Sequence, residues 1–109
     1  VPVGALANIC LVNKADVVEA CRESMAALMA ELESHPERGY STVLCISCCG
    51  RAMILGTEGD AEGDVLASML PQGMALAGSY CLGEICPTFY ADGKGVNRFH
   101  NCSITLCML

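Results

Sequence analysis

Four residues stand where a chain could put them to chemical use. Arg51 follows a glycine at the end of a strongly apolar stretch, residues 40–49 (YSTVLCISCC). A guanidinium fork there can hold a ligand carboxylate in two parallel charge-assisted hydrogen bonds. The same fork can equally serve a structural ion pair, most simply with Glu84. Glu84 itself follows Gly83, whose missing side chain lets backbone or ligand approach closely. His100 falls on the apolar side of an alternating segment, where an imidazole is either a hydrogen-bonded core residue or a ligand contact. Asn101 points the other way, toward loop backbone or ligand.

The apparatus of catalysis is not evident. No serine occupies a nucleophile elbow, there is no HExxH, and neither histidine has an obvious nucleophile partner in sequence. A glycosidase mechanism needs a second carboxyl at a set separation from Glu84, and none is nominated. Residues 60–64 lack the ligand spacing of a calcium loop, and residues 93–95 lack the flanking residues of a phosphate-binding loop. Cys45 and Cys48 lie three apart in an extended segment, so they point to opposite faces and cannot pinch one metal. A cross-strand metal set of Cys48, Cys86 and His100 is left open, as is a thiol-dependent enzyme with Cys48 as nucleophile. The balance favours binding, with no residue assigned to catalysis and no metal or cofactor assigned.

Composition narrows the partners. The chain has 109 residues, one domain's worth, with 53% hydrophobic and 17% charged residues. A net charge of −6 argues against nucleic acid and against anionic membrane surfaces, both of which select clustered cations. Nine cysteines is an odd count. Most sit in apolar strand or helix patterns, where the thiol behaves as a small hydrophobe. With no secretory signal at the start, the expectation is reduced thiols in the cytoplasm. Because the sequence opens on Val1 and at once turns strand-like, it reads as a piece of a longer protein.

Those residues need elements to position them. Residues 4–12 (GALANICLV) read as a strand. Asn13 and Asp16 then suit a helix start, and Val17, Val18, Cys21, Met25, Leu28, Met29 and Leu32 recur at helical spacing. A long helix is expected over 14–34, ending before Pro36. Residues 40–49 read as a central strand covered on both faces. Residues 56–63 read as an acidic loop and 64–70 as a short helix stopped by Pro71. A strand over 74–84, a turn-rich loop over 87–97 and a strand over 98–108 complete the chain. The order β-α-β-α-β-β predicts an α/β (α+β) single domain with a mixed sheet. The second and third strands should be parallel through a helical crossover, and the third and fourth antiparallel. Gly50, Arg51, Gly83, Glu84 and residues 97–101 would then share one end of the sheet, where such folds bind ligands.

The segments SCCGR (47–51), AGSYCLGEI (77–85) and HNCSITL (100–106) together resemble the C-terminal domain of FIST proteins. That family shows an S-C-x-G-R motif, a G-F/Y-x-x-G-E-I motif and an H-N-x-T-like final strand, in this order. Its motif positions fall on Cys48, Gly50, Arg51, Gly78, Gly83, Glu84, His100 and Asn101, with Tyr80 inside the second motif. Cys81, Leu82 and Ser103 depart from the usual residues. The resemblance implies a small-ligand sensory domain of a bacterial signal-transduction protein, with an amino acid or similar small polar ligand. It also implies an N-terminal FIST half and an output domain or kinase as partners. Some relatives are linked to haem, which makes a haem-based gas sensor the alternative, with His100 as axial ligand.

Overall fold

The computed structural model describes residues 2–6, 10–89 and 95–109. Helix α1 spans Lys14–Ser34. Its start is a reciprocal capping box: the Asn13 side chain accepts from the Asp16 amide at 3.0 Å, and the Asp16 carboxylate accepts from the Asn13 amide at 2.9 Å. Two orphan amides are thereby satisfied, and an acid sits at the positive end of the helix dipole. Val17, Cys21 and Met25 recur every fourth residue and form its buried stripe. The helix stops at His35, ahead of Pro36.

Strand β1 (Thr42–Cys48) runs directly into α2 (Cys49–Leu55). Helix α3 (Ala61–Met69) leads to β2 (Ala75–Cys81), then β3 (Glu84–Phe89), β4 (Gly95–His100) and β5 (Ile104–Met108). β1 is the middle strand of a β2-β1-β5 sheet, parallel to β2 and antiparallel to β5. β3 and β4 form a separate antiparallel ribbon. The crossover from β1 to β2 carries α2 and α3, which is why those two strands run the same way.

One face of the sheet is packed. Val43 and Cys45 of β1, Leu76 of β2 and Ile104, Leu106 and Met108 of β5 meet Cys21 and Met25 of α1 and Leu66 of α3 in a single cluster. The other face, with Leu44, Ile46, Ala77, Ser79 and Thr105, contributes nothing to that cluster and is half-buried or exposed.

The expected α+β domain with a mixed sheet is the fold observed, with helix 14–34 at its expected bounds and the second and third strands parallel. Other expectations are corrected. Residues 4–6 and 10–12 form no strand, and Leu6 and Leu11 are exposed; residues 7–9 lie outside the described residues. Apolarity alone did not secure a partner for that segment. The residues after Cys48 continue as α2 instead of ending the element. The short helix begins at Ala61, three residues early. The strand expected to reach Glu84 breaks after Cys81, because Gly83 adopts φ +134° and turns the chain into β3. Most of the described part of the expected loop 87–97 is ladder; its centre, 90–94, lies outside the described residues. The last strand divides at residues 101–103, and its second half pairs with β1. Finally, β1 is central, yet its helical cover is on one face.

Candidate functional site

The best-formed cleft, about 440 Å³, opens between α3 and the outer side of β2. Its apolar floor is Leu66, Leu76 and Cys45, and Asp60 and Asp64 stand exposed among its walls. Gly78 forms part of the wall, and no side chain fits there: a Cβ would lie 2.2 Å from the Cys45 carbonyl oxygen. The strand therefore presents bare backbone to the cleft. β2 is also an edge strand among the described residues, so its outward amides have no ladder partner.

Glu62, on the first turn of α3, anchors the cleft wall from inside. It is 3% exposed, and both carboxylate oxygens are engaged. Arg51 approaches Oε1 with Nε at 2.7 Å and Nη2 at 2.6 Å. Ser47 and Tyr80 donate to Oε2 at 3.0 and 2.9 Å. Arg51 Nη2 also donates to the Val17 carbonyl at 2.8 Å, tying α2 and α3 to α1. The Tyr80 hydroxyl lies 3.2 Å from the Gly59 carbonyl oxygen as well. A buried ion pair survives only with such satisfaction of its remaining groups. Loss of water contact, then the bond to Glu62, pushes the Tyr80 hydroxyl up to about 12. Burial first and the Glu62 charge second push Cys21 and Cys45 to about 11.

The ion pair anticipated for Arg51 thus forms, but with Glu62 and not Glu84. Because α2 starts immediately after β1, its first turn carries the guanidinium into the helical layer. Arg51 and Tyr80 meet on Glu62. The remaining expected residues gather elsewhere, around the ends of β1 and β5 and the ribbon. Glu84 and His100 are register partners. Glu84 is 3% exposed; Oε2 accepts from Ser103 at 2.7 Å, and Oε1 has no partner among the described residues. The Cys48 amide donates to the Ser103 carbonyl, and the thiols of Cys48 and Cys102 both lie close to Gly50. His100 Nε2 is 3.3 Å from the Thr88 hydroxyl. Asn101 is exposed in the turn before β5. Gly83 lies under the Phe99 ring, where a Cβ would come within 2.7 Å.

Glu62 and Ser47 had not been singled out as functional. Glu62 sits in the acidic run EGDAEGD (58–64), which looks solvated by composition; its only signal is the four-residue spacing to Leu66 on one helix face. Among the described residues no group of three or more His, Cys, Asp or Glu side chains could hold a metal ion. The set Cys48, Cys86 and His100 is therefore not assembled. No described helix is long and apolar enough to cross a membrane.

A mixed sheet with helices packed on one face defines a small single α+β domain. The chain belongs to the FIST C domain family, whose model matches residues 1–87. It is a sensory domain of signal transduction, of a kind found within multidomain sensory proteins, and the family is not known for catalysis. No curated protein and no solved structure matches the chain.

Proposed function

We propose that this domain senses a small amine-bearing molecule, an amino acid foremost, bound in the cleft between α3 and β2. The observation that carries this reading is a cleft of about 440 Å³ with carboxylates on one wall and, on the other, strand amides with no ladder partner among the described residues. Asp60 and Asp64 are placed to receive an ammonium group, and the outward amides of β2 near Gly78 to receive a carboxylate. Leu66, Leu76 and Cys45 offer a short apolar side chain its contact. Tyr80 adds a hydroxyl oxygen that can accept from the ligand while donating to Glu62.

In this reading Arg51 is a positioning residue. Its guanidinium neutralises Glu62, so the net charge of the cleft comes from Asp60 and Asp64. Glu84, His100, Asn101, Cys48, Gly50 and Gly83 shape the neighbouring strand ends. Occupancy is read by an N-terminal FIST half and an output domain or kinase in the same cytoplasmic signalling system. Haem sensing through His100 draws no support from the geometry, since His100 does not line the cleft and its Nε2 faces Thr88.

Calorimetry with a panel of amino acids and small amines tests the reading. At least one should bind, and Asp60→Asn with Asp64→Asn should weaken it tenfold or so, about 1.4 kcal/mol. Absence of binding across the panel, or binding indifferent to both substitutions, overturns it.

A further inference from the structure

All nine cysteines are free thiols, and the sulfurs of two of them, Cys48 and Cys102, converge on Gly50. Cys48 ends β1 and is 7% exposed; Cys102 is exposed in the turn before β5. Their sulfurs flank one spot on the Gly50 backbone: a Cβ built there would lie 3.6 Å from the Cys48 Sγ and 3.5 Å from the Cys102 Sγ. In a continued ladder Ser103 faces Cys48 and its neighbour Cys102 looks to the opposite side of the sheet. Cys102 instead takes φ +59°, the one left-handed non-glycine residue among those described. That conformation is unfavourable for a side chain without special reason. Here it accompanies a turn that carries its thiol to the same point over Gly50 that the Cys48 thiol reaches, and the Cys48 amide to Ser103 carbonyl bond, 3.0 Å, pins the turn in place.

We propose that Cys48 and Cys102 are an oxidant-reactive pair, modified by hydroperoxides to an intramolecular disulfide. The exposed Cys102 reacts first. Its thiolate attacks the peroxide, an S–O bond forms as the O–O bond breaks, and the departing oxygen leaves as water or alcohol after taking a proton. The Cys48 thiolate then attacks the Cys102 sulfur; the S–S bond forms, the S–O bond breaks, and hydroxide leaves as water with the proton Cys48 has lost. Two thiols supply the two electrons that reduce one peroxide. Gly50 is part of the arrangement, because any side chain there would stand against both sulfurs. The buried thiol of Cys21 and the half-buried thiol of Cys45 are disfavoured for this chemistry, since loss of water contact and the Glu62 charge raise both thiols and keep them neutral.

The test is peptide mass mapping, without reductant, after adding one equivalent of hydrogen peroxide to the protein with all its cysteines. A Cys48–Cys102 linked peptide should form, and Cys49→Ser and Cys81→Ser should leave it in place. Cys48→Ser should strand Cys102 as a sulfenic acid, trapped by a dione nucleophile, and Cys102→Ala should abolish both products. Gly50→Ala, whose methyl group fits at ordinary contact distance, should slow closure severalfold. Linkage of Cys48 to Cys49 or Cys81, or oxidation of Cys102 to sulfinic acid with the Cys48 thiol intact, overturns the proposal.

Discussion

Glu62 holds three elements with one carboxylate, so its removal should be felt well beyond α3. Glu62→Ala leaves the Arg51 guanidinium buried and unpaired, which costs on the order of 3–5 kcal/mol. Urea unfolding should show it directly, as a fall in the midpoint. Tyr80→Phe deletes a single hydrogen-bonded hydroxyl and should cost at most about 1 kcal/mol. The same network has a signature in alkali. Cys21 and Cys45 are raised from 9.0 to about 11, and Tyr80 from 10.0 to about 12. The folded chain therefore keeps protons that the unfolded chain has released, and its stability falls as pH rises from 9 to 12. Unfolding midpoints across that window should decline, and Tyr80→Phe should flatten the part above pH 10. Arg51 was readable as a charge at a strand exit. Its partner was not, since a carboxylate eleven residues on in an acidic run is indistinguishable, by composition, from a solvated one.

Secondary elements differ in how strongly local rules bind them. α1 was legible to the residue because cap, periodicity and stop signal agree. Asn13→Ala should remove its capping box and cost about 1 kcal/mol, measurable by thermal unfolding. The β3–β4 ribbon depends on a rarer local feature. Gly83 combines φ +134° with a Phe99 ring lying over its α-carbon, so Gly83→Ala must both strain the backbone and displace the ring. Loss of Phe99 chemical-shift dispersion, with α1 amides unmoved, is the expected NMR result. The strand predicted over 98–108 failed in its middle. Alternation of apolar and polar residues continues through His100, Cys102 and Ile104, yet residues 101–103 turn. A two-residue period specifies which way side chains point, and says nothing about which partner the backbone will find. The candidate site suffered likewise: its cleft exists only once α3 and β2 are set side by side.

At the level of the molecule, sheet order decides what is left uncovered. The parallel crossover was legible, because a helix between two strands permits little else. The place of β5 was not, since antiparallel pairing with β1 instead of β2 turns on long-range packing of Leu106 and Met108 against α1. Leu44 and Ile46 remain on the bare side of the sheet, half-buried. Gly78→Val should test how tightly β2 and β1 are apposed: with a Cβ 2.2 Å from the Cys45 carbonyl oxygen, the strands must part. Amide exchange in β2 should then accelerate well above that in β5.

The middle strand gains its β5 partner only from residues far downstream, 104–108 against 43–47. During synthesis, β1 is complete long before β5 leaves the ribosome. Until then it offers an unclaimed row of amides and carbonyls flanked by Val43, Leu44 and Ile46, the makings of intermolecular pairing. Chains cut short ahead of Ile104 should consequently aggregate, whatever the health of their helices.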